Sequence, residues 1–173
     1  KKMNRKITRK EIEATMSRVR RKLPDVAWRT TFIVGFPTET EQDFEELVDF
    51  VSEGHFQHLG IFLYSDEDNI RSSKFGDPIP LSLKEERKNR LMEIQQKISR
   101  EHHQKMVGSL QQVLVGGFSS ETDLLLEGRN QYQGPEVDGV VYINEGNATS
   151  AGFHQVEITC LLYTSPSPRD TRR

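Results

Sequence analysis

The chain has 173 residues, of which 34% are apolar; against the ~45–50% usual for soluble globular domains when glycine is counted, this suits small modules or a piece of something larger. No apolar run approaches the ~18 residues of a membrane span and no secretory leader pattern opens the chain; the single cysteine, Cys160, excludes an internal disulfide and any Cys-ligated zinc or iron–sulfur site built from this chain alone, so no membrane and a cytoplasmic location are expected. The formal charge of −2 hides a basic head, +8 over residues 1–22, and an acidic third, −6 over residues 106–159 with Arg129 as its one basic group. Such a third repels nucleic acid and attracts a basic partner. A merely solvated acidic face meets the same count.

In chain order, Thr8 and Glu11 form a capping box that starts a helix. Ile12, Met16, Val19 and Leu23 give that helix one apolar stripe, and Pro24 ends it. Trp28 to Val34, with Phe32, Ile33 and Val34 in an unbroken run, reads as a strand buried on both faces, as in a parallel sheet. After Gly35-Phe36-Pro37, Thr38 and Glu41 read as a second capping box. The helix that follows carries Phe44, Leu47, Val48 and Val51 and closes at Gly54. Leu59 to Tyr64 is a second strand of the buried type, and residues 65–80 form a long polar loop. Ser82 and Glu85 cap a third helix to about Lys105, with Leu91, Ile94, Ile98 and Met106 on one stripe.

Beyond Gly108 the pattern changes to short strand-like pieces, Leu110–Val115, Asp123–Gly128, Val140–Asn144 and Phe153–Thr159, separated by turn residues. This is the pattern of a small all-β barrel, with a domain boundary near Met106. Two parallel strands do not make a stable sheet with both faces covered. Residues 1–105 are therefore expected to be the C-terminal part of a larger α/β protein; a small self-contained α+β domain is the alternative. Residues 160–173, with Ser-Pro repeats and basic groups, read as a non-native or disordered tail.

The stretch Arg29 to Thr40 (R-T-T-F-I-V-G-F-P-T-E-T) carries the most chemical information. A buried strand ends in a glycine, turns and enters a capped helix, and ligands of α/β sheets gather outside such strand ends. Gly35 lets a ligand approach the backbone, and Tyr64 and Ser65 end the second strand at the same face. An ordinary strand–turn–helix joint has the same pattern. The five histidines (His55, His58, His102, His103 and His154) lack metal-ligand spacing and read as solvated or helix-capping groups. Asp66, Glu67 and Asp68 form an acidic cluster read as loop solvation.

The strings M-N-R-K (Met3 to Lys6), R-T-T-F-I-V-G-F-P-T-E-T, Tyr64-Ser65 and E-E-R-K-N-R-L-M-E-I-Q-Q-K-I-S resemble the methylthiotransferases of the radical S-adenosylmethionine superfamily. L-L-L-E-G-R (Leu124 to Arg129) and G-P-E-V-D-G-V-V-Y-I-N (Gly134 to Asn144) resemble that family's C-terminal TRAM barrel, in the branch that modifies a ribosomal protein. The resemblance covers about residues 2 to 159. It implies the C-terminal part of a radical S-adenosylmethionine partial (β/α) barrel over residues 1–105 and a TRAM barrel over residues 106–159. The implied activity is transfer of a methylthio group to the β-carbon of an aspartate in the twelfth protein of the small ribosomal subunit. The implied cofactors are S-adenosylmethionine and two 4Fe-4S clusters, whose C-x-x-x-C-x-x-C ligands this chain lacks, so the chain alone is expected to be inactive with no catalytic residue of its own.

Ile33, Val34, Gly35 and Phe36, with Tyr64 and Ser65, match the strand ends that lie near the adenine of S-adenosylmethionine in the family. Thr38 stands where the family has a glycine after G-F-P, and Asp68-Asn69-Ile70 replaces its E-G-T. The acidic third then suits a basic ribosomal protein as partner and makes nucleic-acid binding unexpected. Two alternatives stay open: a methylthiotransferase acting on transfer RNA, and a non-enzymatic binding module that uses the barrel alone.

Overall fold

The structure is a computed structural model and describes residues 6–66, 72–149 and 151–162. The chain divides into two compact units, Lys1–Arg100 and Glu101–Arg173. In the first unit, α1 spans Arg9–Lys22 and begins at the predicted box: the Thr8 hydroxyl accepts the Glu11 N–H, and the Glu11 carboxylate accepts the Thr8 N–H at 2.7 Å. Strand β1 is Arg29–Val34, α2 is Glu41–Ser52, β2 is His58–Leu63 and α3 is Leu81–Gln104, with one 3-10 turn at Ser73–Phe75.

Two helix starts differ from the sequence reading. The cap of α2 is Thr40 with Asp43, not Thr38 with Glu41. T-E-T-E-Q-D offers two threonines at workable spacing, and residues 36–39 are taken up by a turn in which the Glu39 N–H donates to the Phe36 carbonyl at 2.7 Å. Helix α3 starts at Leu81, so Ser82 lies inside its first turn, and the Pro80 carbonyl accepts from Leu83 and Lys84.

β1 and β2 pair in parallel, Arg29 opposite His58 through Val34 opposite Leu63. Side chains alternate across the sheet. Phe32, Val34, Leu59, Ile61 and Leu63 face a core shared with Phe44, Leu47, Val48 and Val51 of α2 and with Leu91 of α3. Met16 and Ile12 of α1 pack with Phe50, Phe56, Trp28 and Phe32. The opposite face is bare: Ile33 and Phe62, directly paired, are 42% and 64% exposed. The continuous apolar run had predicted burial on both faces, whereas all three helices pack on one.

In the second unit, β3 (Leu110–Phe118), β4 (Leu126–Asn130), β5 (Val141–Ile143) and β6 (Gly152–Glu157) form an antiparallel sheet in the order β5-β4-β3-β6. The described residues thus pair as a four-stranded sheet with β5 and β6 at its ends. Val113, Val115 and Ile143 are its buried centre, supported by Leu126, Val141, Ala148 and Val156. A bulge between Val115 and Gly117 bends β3 against β4. There the backbones crowd: a Cβ on Gly128 would stand 2.6 Å from both the Leu114 carbonyl oxygen and the Val113 side chain. Among the described residues, no helix is long and apolar enough to cross a membrane.

Gly128→Ala is expected to lower the stability of the second unit by about 1–3 kcal/mol, the usual cost of forcing atoms into a filled space. Urea unfolding followed at Tyr132 and Tyr142 measures it, and an unchanged midpoint contradicts the crowding. The hydrogen bonds from Thr8 hold the Glu11 carboxyl below its ordinary value near 4.5. A depressed acid contributes stability above its unfolded value and loses it as pH falls through the folded one. A carbon-detected NMR titration of Glu11 is therefore expected to place its midpoint below 4.5, with the first turn of α1 fraying in the same range; a midpoint at or above 4.5 contradicts the box.

Candidate functional site

The strand ends singled out from sequence come together at one edge of the first unit. β1 ends at Val34, whose carbonyl accepts the Tyr64 N–H at 2.9 Å, so the parallel pairing runs one residue past β2. Gly35 then turns the chain at φ +79°, a left-handed conformation that favours glycine. Its N–H donates to the Glu39 carboxylate at 3.1 Å.

Of the six predicted residues, Ile33 points to the bare face and Ser65 is exposed. Gly35, expected to let a ligand approach the backbone, is instead buried, with the Lys84 stem standing where a Cβ would. Val34 is wholly buried. Phe36 and Tyr64 are buried too, their rings edge-to-face at 5.3 Å, and Phe75 meets Phe36 edge-to-face at 6.1 Å. The Tyr64 hydroxyl is buried without a hydrogen-bond partner among the described residues. Glu67, Asp68, Asn69 and Ile70, like Met3 to Arg5 and residues 163–173, lie outside the described residues.

Composition and periodicity missed the groups that hold this edge. The buried stripe of α3 is Lys84, Arg87, Leu91 and Gln95, three of its four members polar. Arg87, 5% exposed at its side chain, donates to Glu39 and to Glu41 at 2.7 Å each and lies 5.0 Å over the Phe44 ring. Glu39 therefore bridges a buried guanidinium and the Gly35 backbone. Lys84, 3% exposed, donates to the Tyr64 carbonyl at 2.8 Å and to both oxygens of Asp77. Gln95 donates to the carbonyls of Phe56 and Gln57, at the entrance to β2. The signal in the sequence was the i, i+3, i+7, i+11 spacing of 84, 87, 91 and 95, which an apolar search passes over.

His55 lies between Arg20, 3.1 Å from its Nδ1, and Glu53, 2.7 Å from its Nε2, while Arg20 also donates to the His55 carbonyl. Among the described residues, no group of three or more His, Cys, Asp or Glu side chains is placed to hold a metal ion, and Cys160 is exposed. The residues present do not fit an iron–sulfur cluster, and no step is derived through one.

Residues 107–161 match the TRAM domain family, so the chain is an α/β unit followed by a TRAM domain. Across nearly its whole length it is similar to proteins named ribosomal protein uS12 methylthiotransferase RimO: 50% identical over 159 residues to that of Bdellovibrio bacteriovorus, 46% over 157 to that of Desulfotalea psychrophila, and 42% over 159 to that of Geobacter sulfurreducens. The alignments cover 92%, 91% and 92% of this chain and 35%, 35% and 36% of the relatives. The chain belongs to this methylthiotransferase family and spans about a third of the length of the curated relatives it matches.

Arg87→Met is expected to destabilise the first unit by about 3–5 kcal/mol, because it leaves the Glu39 carboxylate, 12% exposed, without its counter-charge. Arg90→Met, on the same helix but in an exposed pair with Glu45, is expected to cost far less. Equal losses for the two in urea denaturation are incompatible with this assignment.

Proposed function

We propose that the chain is the C-terminal portion of a radical S-adenosylmethionine methylthiotransferase that modifies an aspartate of ribosomal protein uS12. The α/β unit supplies the last two strands of the partial barrel, and the TRAM domain recognises the protein substrate. The observation that carries this reading is 50% identity over 92% of the chain with a protein so named. The bare sheet face supports it: a parallel strand pair with helices on one side and Ile33 and Phe62 exposed on the other is the geometry of a barrel wall, whose inner side faces a cofactor.

S-adenosylmethionine fits the edge at the ends of β1 and β2. Ile33 and Phe62 offer an apolar surface on which a purine can lie beside the strand ends. When bound and cleaved, that cofactor supplies the radical that removes a hydrogen from the substrate carbon. The chain's own part is to bind and orient. Val34, Gly35, Phe36 and Tyr64 hold the strand ends from within the core, while Ile33 and Ser65 face outward. Cluster ligation belongs to parts of the protein beyond this chain, and the chain alone is inactive.

The charge of the TRAM domain supports a protein substrate. Glu121, Asp123, Glu136, Glu145 and Glu157 are exposed, and Arg129 is the one basic residue between 106 and 159. A surface for transfer RNA needs clustered Lys and Arg. A strongly basic ribosomal protein complements an acidic one. The reading places the protein in the cytoplasm, where ribosomal proteins are met.

The chain is expected to bind uS12 more tightly than transfer RNA at low salt, with the affinity for uS12 falling as salt is raised. Fluorescence anisotropy with both ligands decides this, and tighter binding of the RNA defeats the substrate assignment.

A further inference from the structure

One buried side chain touches the turn after β1, the end of β2 and the segment before α3. Lys84 enters from the first turn of α3, and its stem lies against Gly35 so closely that a Cβ there would stand 2.4 Å from the Lys84 Cγ and 2.8 Å from its Cδ. Its ammonium donates to the Tyr64 carbonyl, one residue beyond β2. The same group is held by both Asp77 oxygens, on the segment that returns from β2 to α3, and lies 5.5 Å over the Tyr64 ring. An ammonium has three protons to give, and here three acceptor oxygens surround it. The end of β1, the end of β2 and the following loop are thus tied to one buried cation.

Burying that cation would be costly if its only role were to fill space, since an apolar side chain of the same length fills the volume without losing hydration. What an apolar side chain cannot do is hold a carbonyl at a fixed place. We infer that Lys84 is a positioning residue for S-adenosylmethionine: its contacts with Gly35, Tyr64 and Asp77 set the spacing and orientation of the two backbone ends on which the cofactor's adenine rests. The inference rests on the cofactor site proposed above. It adds a residue that does not touch the ligand and acts through those that do. Groups held in place before binding spare the ligand the entropy of ordering them. Loss of Lys84 therefore weakens binding before it affects any later step.

The experiment uses the complete protein that carries this chain. Titration calorimetry measures its affinity for S-adenosylmethionine, alongside the thermal midpoint and the far-ultraviolet circular dichroism. Lys84→Met and, from the other side of the same contact, Gly35→Ala are each expected to weaken binding at least tenfold at a temperature where both remain folded. Asp77→Asn is expected to weaken it less, and Arg90→Met, whose partner is the exposed Glu45, to leave it unchanged. In turnover, the Lys84→Met loss is expected in KM for S-adenosylmethionine rather than in kcat, a split that general loss of fold does not produce.

Lys84→Met binding within twofold of the unsubstituted protein overturns the inference, and so does a lowered thermal midpoint with affinity retained. Should Lys84→Met not fold, Lys84→Arg and Asp77→Asn decide by the same affinity criterion. If the unsubstituted protein itself fails to bind S-adenosylmethionine, the cofactor site falls and this inference with it. Equal binding by both proteins sinks the inference alone.

Discussion

Taking an ammonium or a guanidinium out of water costs several kcal/mol unless its protons are returned to acceptors of good geometry, and α3 buries one of each within a single turn. Lys84 gives its protons to Tyr64 and Asp77, and Arg87 gives its own to Glu39 and Glu41. Tyr64 directly follows β2, Glu39 and Glu41 lie between β1 and the first turn of α2, and Asp77 lies on the segment before α3. The helix thereby fixes both strand ends by charge-assisted bonds, while Leu91 one turn further along fixes the sheet by packing. The conformation of Gly35 is part of the same constraint: the Glu39 carboxylate that holds its N–H is itself held by Arg87, and the stem of Lys84 occupies the place of a side chain.

The sheet these contacts organise is covered on one side only. Alternation along β1 sends Phe32 and Val34 into the helices and Ile33 outward beside Phe62. A large exposed apolar pair on a parallel sheet is uncommon in a unit evolved to stand alone. It accords with a chain that spans about a third of its relatives. The exposed pair Ile33 and Phe62 lies beside strand ends that are closed from the other side, where the Lys84 stem fills the place of a Gly35 side chain.

The TRAM domain is built on different physics. Its core is small, three buried residues with four helpers among the described residues, and the sheet depends on close approach of β3 and β4 at a bulge. Gly128 permits that approach, so the glycine of L-L-L-E-G-R serves packing. The acidic groups stand mostly on turns and strand edges, exposed, where they set the field of the domain without taking part in its core. Asp138 is an exception, accepting the Gly134 N–H at 2.7 Å to close the turn that G-P-E-V-D-G encodes.

Sequence by itself determined the order and type of every long element, the cap at Thr8, the glycine turn after β1, the change to short strands beyond Gly108 and the sign of the charge on each segment. These are local properties: a period, a cap spacing and a count are complete within a dozen residues. Tertiary structure alone decided which of two threonines caps α2, which face of the sheet is covered, and that the buried side of α3 is cationic. A run such as Phe32-Ile33-Val34 carries no record of what lies opposite each side chain. No local pattern marks Lys84 and Arg87 for burial; the fold brings Asp77, Glu39 and the Tyr64 carbonyl to them. Burial of charge is a property of partners distant in sequence, Glu39 and Arg87 being 48 residues apart, and so it is written in no single segment of the chain.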